Sequence, residues 1–252
     1  MKLYTMRDKS TGKVGREDKN LSLSAVMKMT DWTDTDIDMV ANMPEGMALS
    51  FYGGIEVECQ KSAGSITVED HIAGILNYIE GGSNGMMLRP GLIETPKRVA
   101  KAMSHWFGGY SVDVPSLFKV FEDGAEGADQ MVAVCHIPFY SKCEHHMADI
   151  FGHATVAYIP RGRIVGLSKL NRVVDAYARR LQVQERLTNN IADAIQTHLD
   201  PIGVGVYITA RHMCMESRGV CQHGHHTVTT ALRGAIKDEP QTRAEFLALC
   251  KH

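Results

Sequence analysis

The sequence predicts an α+β domain on three observations. Strand-like apolar runs recur at 131–137, 153–159, 203–209 and 226–232. Helical spacing fills the intervals, as in Leu170, Val173, Val174, Tyr177 and Leu181. The strands come in pairs with helices before, between and after them, the order of an antiparallel sheet packed on helices. Composition agrees with a globular chain. Of 252 residues, 44% are apolar and 22% charged, and the formal net charge is −2. That balance gives no general case for binding nucleic acid or a membrane. No apolar run approaches the roughly 20 residues of a membrane span. The N-terminus lacks the apolar core of an export signal. The six cysteines are too few for a disulfide framework in a chain of this length and read as reduced thiols in a cytoplasmic compartment.

Residues 1–66 differ from the rest. A basic stretch (Lys2, Arg7, Lys9, Lys13, Arg16, Lys19) precedes an acidic patch (Asp31, Asp34, Asp36, Asp38, Glu45). Periodicity is weak, a short helix fits only near 34–43, and Gly53-Gly54 breaks the chain. This segment is expected to be a poorly ordered or accessory extension rather than a docking arm. Order begins at Thr67, an N-cap for a helix over 67–80 with Ile72, Ile75, Leu76 and Ile79 on one face, stopped by Gly81-Gly82. A second helix has Thr95 as N-cap, Pro96 at its first position, and Gly108-Gly109 beyond its end. Its stripe is Val99, Ala102, Met103 and Trp106, with Arg98 and Lys101 on another, solvated face. The strand over 131–137 leads to Cys143. Residues 153–159 are expected to turn through 160–163 into a hairpin partner at 164–166. Ser168 then reads as an N-cap. The next helix runs over 183–199 and ends at Asp200-Pro201. A strand delivers His212 and Cys214, another covers 226–232, and Thr242-x-x-Glu245 reads as a capping box opening the last helix.

The chemistry concentrates in Cys143-Glu144-His145-His146. Cys143 and His146 stand three apart, so one turn aims a thiolate and an imidazole at one point, a donor pair that suits zinc. Cys214 is the best candidate for a third ligand. Three protein ligands leave a position for water, the catalytic pattern, whereas no second close pair supports a four-ligand structural site. His145 would flank the metal as a general acid or base. Lys169 and Arg172 lie one turn apart at a helix N-terminus and suit a phosphate, or are solvated cations. Glu185 suits a purine edge or simply the helix dipole. Cys221-Gln222-His223-Gly224-His225-His226 could hold a second metal, but reads better as a loop with incidental histidines.

Taken together, Cys143-Glu144-His145-His146, the run from Gly166 to Arg172, the run from Gln182 to Leu187, and His212-Met213-Cys214 with Arg218 resemble GTP cyclohydrolase I. The resemblance covers residues 67–252, taken as the catalytic domain, including the run from Thr95 to Lys101 and the tail from Thr242 to Leu247. It implies a tunnelling fold: an antiparallel sheet with helices on one side, closed into a barrel by oligomerisation. It also implies a homodecamer of two pentamers with active sites between subunits. The implied reaction is hydrolysis of GTP to formate and 7,8-dihydroneopterin triphosphate, with one zinc per subunit activating the water that attacks guanine C8. By the same resemblance Cys143, His146 and Cys214 are the zinc ligands, and His145 and His212 handle protons. Ser168 serves the later sugar rearrangement. Glu185 anchors the guanine, with Gln184 beside it in the catalytic group. Lys169, Arg172 and Arg218 take the triphosphate, and Arg98 and Lys101 add to that pocket from another subunit. Residues 1–66 have no counterpart in it.

Two other readings use the same residues. A reductase of a deazaguanine nitrile on this fold would need a nucleophilic cysteine without zinc, against which the Cys143, His146 and Cys214 set argues. A catalytically inactive GTP-binding regulatory subunit would lack an essential group, and none is missing. The product could enter folate, biopterin or deazaguanine synthesis.

Overall fold

The computed structural model describes residues 4–8, 17–21, 48–51, 55–59, 67–80, 88–125 and 127–251. The predicted helix at 34–43 and the breaks at 53–54 and 81–82 lie outside them. The chain divides into two compact units, Met1–Pro96 and Lys97–His252. In the first unit, β1 (Tyr4–Asp8), β2 (Glu17–Leu21), β3 (Ala48–Phe51) and β4 (Ile55–Cys59) form a four-stranded antiparallel sheet in the order β2-β1-β4-β3. Helix α1 (Val68–Ile79) follows. Its start is the expected one. Thr67 accepts from the Asp70 amide at 3.2 Å, and the Asp70 carboxylate accepts from the Thr67 amide at 2.8 Å, a reciprocal capping box. Of its predicted apolar face only Ile72 is buried, and Ile75 and Ile79 are exposed.

The second unit is built on a five-stranded sheet in the order β11-β10-β7-β6-β9. Its strands are β6 (Val132–Cys143), β7 (Asp149–Ile159), β9 (Leu181–Gln182), β10 (Gly203–His212) and β11 (Thr227–Gly234). Every pairing is antiparallel except that of β6 with β9. Helix α2 (Thr95–Trp106) spans the division between the units; it begins at Thr95 itself. Helices α3 (Leu167–Ala178) and α4 (Gln184–Leu199) supply Leu170, Val173, Val174, Leu187, Ile191 and Ile195 to the main core. They meet Ile150, Val156, Val204, Val206 and Ile208 on one face of the sheet. The strand period of two puts the intervening residues on the other face. There Ala157 packs with Phe246 of α7 (Pro240–Leu249) and Ile236 of the short helix α6 (Ala235–Asp238). Gly205 faces Phe246 as well: a Cβ there would lie 2.9 Å from the ring, so the ring occupies the space of the missing side chain.

Four sequence expectations are corrected. Residues 164–166 do not pair back on 153–159. Instead β8 (Ile164–Val165) pairs with β5 (Val120–Phe121), because both edges of β7 are already taken by β6 and β10. The tie to β7 is through a side chain: the buried Tyr158 hydroxyl accepts from the Val165 amide at 3.2 Å. Leu181 belongs to β9 rather than to helix α3, which stops at Ala178. Helix α3 starts at Leu167 with Gly166 at its N-cap, so Ser168 falls inside the first turn. Helix α7 starts at Pro240 with Glu239 as N-cap, since proline is pre-set for a first helical position, and Thr242 lies within it.

Candidate active site

Strand β6 ends at Cys143, and the motif after it is the turn of the β6–β7 hairpin. The Cys143 amide donates to Ala148 O at 2.8 Å, and the Met147 amide donates to Cys143 O at 2.8 Å. Met147 adopts a left-handed φ of 54°, a conformation that costs a side-chain-bearing residue about 1 kcal/mol and tightens the turn. Cys143 is buried, while His145 and His146 project from the turn and are exposed. Their Nδ1 atoms lie 3.9 and 3.8 Å from Cys143 Sγ. A second tie fixes the turn from outside. Arg186 of α4 pairs with Glu144, and its Nε donates to Gln182 Oε1 at 3.1 Å.

Cys214 reaches this turn through sheet register. Ile150 on β7 is opposite Ser141 on β6 and opposite His212 on β10, so the ends of the two outer strands lie level. The chain then turns into the one-turn helix α5 (Met213–Glu216), which carries Cys214. The ligand atoms of Cys143, His146 and Cys214 all lie within 4.8 Å of one another, the one such group among the described residues. Two thiols and an imidazole are soft and borderline donors, the set expected of zinc or a similar transition metal. Burial pushes the Cys214 thiol up from its ordinary value, and the neighbouring Cys143 raises it further.

His212 closes the group on the α4 side. Its Nε2 is 2.7 Å from Gln184 Oε1. Burial lowers the His212 pKa, opposed by the negative charge of Glu185 and reinforced by His225, so its neutral form is favoured. Glu185 itself is exposed in the first turn of α4, free to meet a ligand. Arg218 Nη1 donates to His146 Nε2 at 2.9 Å, which brings a cation to the edge of the trio. The Arg211 guanidinium bonds Glu216 and holds its carboxyl below the usual range, with His225 and His223 adding to that effect.

The remaining predicted residues are not brought to the trio within this chain. Ser141 Oγ donates to Arg180 O at 3.4 Å, and Gln182 pairs with Cys143. These contacts pin the C-terminal end of α3 beside the turn that follows Cys143. Ser168 and Lys169 sit at the opposite end of a 12-residue helix, about 15 Å away by the helical rise. Ser168 and Arg172 are exposed and Lys169 half-buried, and the side chains of all three lack a hydrogen bond or ion pair to any described residue. Arg98 and Lys101 lie on α2 and are exposed. A cleft lined by Trp106, Tyr140, Lys142, Asp149, Asp175 and Arg179 shares none of the predicted residues. Sequence reasoning missed the Glu144–Arg186 tie and the threonines around Gln184. For Thr188 the signal was present, since it stands four residues after Gln184 on the same helical face.

Residues 68–251 match the family model described as GTP cyclohydrolase I. The GTP cyclohydrolase 1 of Nitrosospira multiformis is 53% identical over 163 residues, covering 65% of this chain and 85% of that protein. That of Janthinobacterium sp. (strain Marseille) is 55% identical over 163 residues, covering 65% and 82%. That of Synechococcus sp. (strain JA-3-3Ab) is 44% identical over 195 residues, covering 77% and 84%. Among solved structures, the archaeosine synthase QueF-Like in the apo form matches at 20% identity and a TM-score of 0.34, over 41% of this chain and 93% of its own. That overlap is too low to establish a shared fold.

Proposed function

We infer the reaction from the fact that this chain belongs to the GTP cyclohydrolase I family: it hydrolyses GTP at guanine C8, releases formate and forms 7,8-dihydroneopterin triphosphate. The observation that carries the reading is the convergence of Cys143, His146 and Cys214 inside the matched region. One zinc per subunit is the metal this donor set fits, and when bound it would act as a Lewis acid supplying hydroxide near neutral pH.

The chain's own residues supply the rest. Glu185 accepts hydrogen bonds from the guanine edge, and adenine would leave that carboxylate without its donors. His212, neutral and half-buried, exchanges a proton with the imidazole ring of the purine as it opens. His145 serves proton transfer on the exposed side of the turn. Arg218 contacts the triphosphate from the edge of the trio. Ser168, Lys169 and Arg172, with Arg98 and Lys101, complete the phosphate and ribose pocket from a second copy of the chain. Their distance from the trio within one subunit supports that division, because the α3 end nearest Cys143 is the wrong one. The assembly is a homodecamer of two pentamers in which tunnelling-fold sheets join into a barrel. Strand β11 has only β10 beside it among the described strands, which leaves an edge for a neighbouring subunit. Residues 67–252 form the catalytic domain and 1–66 an accessory extension, in line with where the family match begins. The free cysteines 135, 143, 214, 221 and 250 suit a reducing cytoplasmic compartment. The test is direct. Zinc-loaded protein given GTP should release formate and a pterin that fluoresces after oxidation, and a chelator should abolish both. GTP bound without either product would point to a regulatory subunit.

A further inference from the structure

We propose that Gln184 is a positioning residue that fixes the tautomer of His212, leaving Nδ1 as the ring atom that exchanges a proton with the substrate. The proposal rests on the reading of His212 as the proton-handling group.

The acceptors around Gln184 set the way its amide faces. Its side chain is buried at 2% exposure in the first turn of α4. Its Nε2 lies 3.2 Å from Ile208 O, 3.0 Å from Thr227 O and 3.1 Å from Thr229 Oγ1. Two of these are backbone carbonyls, which only accept. A flipped amide would set oxygen against oxygen, so the nitrogen must face them. The Gln184 carbonyl oxygen is thereby committed to His212 Nε2 at 2.7 Å. An amide oxygen has no hydrogen to give, so Nε2 must donate. A neutral imidazole carries one hydrogen; with that hydrogen on Nε2, Nδ1 is the free lone pair.

The surrounding hydroxyls close the bookkeeping. Thr188 Oγ1 donates to Gln184 O at 2.7 Å, and Thr188 and Thr229 hydroxyls are 2.6 Å apart. With the Thr188 hydrogen spent on the helix carbonyl, Thr229 donates to Thr188. A Thr229 lone pair then remains for the Gln184 amide. The two Gln184 amide hydrogens are shared among three acceptors, and no atom of the cluster is among the buried polar atoms without a partner. The cluster draws on α4, β10 and β11, so His212 cannot change tautomer without disturbing three elements. Protonation is different. An imidazolium still donates from Nε2 to Gln184, so a proton can arrive at Nδ1 and leave from Nδ1 with the network unchanged. Gln184 itself never touches the reacting atoms.

The test reads the tautomer. Full-length, zinc-loaded protein labelled with ¹⁵N-histidine is measured by solid-state NMR, with His212 identified by difference from the His212→Gln variant. The expected neutral species has a hydrogen on Nε2 and a pyridine-type Nδ1. A pyridine-type Nε2 in the wild type overturns the proposal with no other variant needed. Gln184→Met, of similar length without an amide, should give a tautomer mixture and a kcat lower by about 10- to 100-fold, with zinc content and KM for GTP little changed. An unchanged single tautomer in Gln184→Met would also refute it. Undiminished formate release by a His212→Ala protein, with the wild-type tautomer as expected, would defeat the proton-handling reading and is told apart by that combination.

Discussion

His212 donates to Gln184 from one side of its ring while Cys214, two residues on, turns toward Cys143. In the proposed reaction, proton handling and metal binding share one strand end, and substitutions there should separate the two tasks. His212→Ala leaves the donor trio intact. It should keep zinc and GTP binding and lose turnover by about 10²- to 10⁴-fold, the range for removing a general acid or base. Equilibrium binding of GTP alongside formate release checks this, and normal turnover would exclude His212 from the chemistry. The trio was partly legible in the sequence. Cys143 and His146 are local, so their spacing is enough to pair them. Cys214 is joined to them only by the register of β7 between β6 and β10, which spacing alone does not contain. The hydrogen-bond partners of Gln184 were not legible, because Thr227 and Thr229 come from another strand and no local pattern marks them.

At the scale of elements, helices were read better than strand partners. The spacing of Leu170, Val173 and Val174 matches a buried face of α3, and the helix expected over 183–199 is α4. A strand's period says which residues share a face but not which strand lies alongside. Hence Ile164 and Val165 were recognised as extended and given the wrong neighbour. The helix caps at Ser168 and Thr242 were read two and three residues late, because each side chain is a good cap in isolation, whereas the observed caps are Gly166 and Glu239. Helix α7 is held to the sheet by Phe246, which is fully buried against Ala157, Ile236 and the space over Gly205. Phe246→Ala should cost about 3–5 kcal/mol by lost burial and the cavity left behind. Denaturant unfolding should show this as a lower midpoint. A change under about 1 kcal/mol would mean that α7 contributes little to the core.

For the whole molecule, pH and metal are the two external controls. Burial pushes the Cys250 thiol up to about 12, with Cys135 adding to the effect, from an ordinary value near 9. The unfolded chain ionises this thiol first, so it binds fewer protons than the folded chain between those values. Stability from this group is complete below about pH 9 and is lost as pH rises towards 12. Cys250→Ala should therefore flatten the alkaline fall in Tm relative to wild type, and parallel curves would contradict the assignment. The metal is the more decisive control, because the proposed reaction depends on three residues drawn from two strand ends. The most direct measurement is zinc per subunit and formate released from GTP, determined on the same preparations of wild type and Cys214→Ser. Wild type should hold about one zinc per subunit and release formate, and Cys214→Ser should lose both together. A zinc-replete, active Cys214→Ser protein would contradict the account.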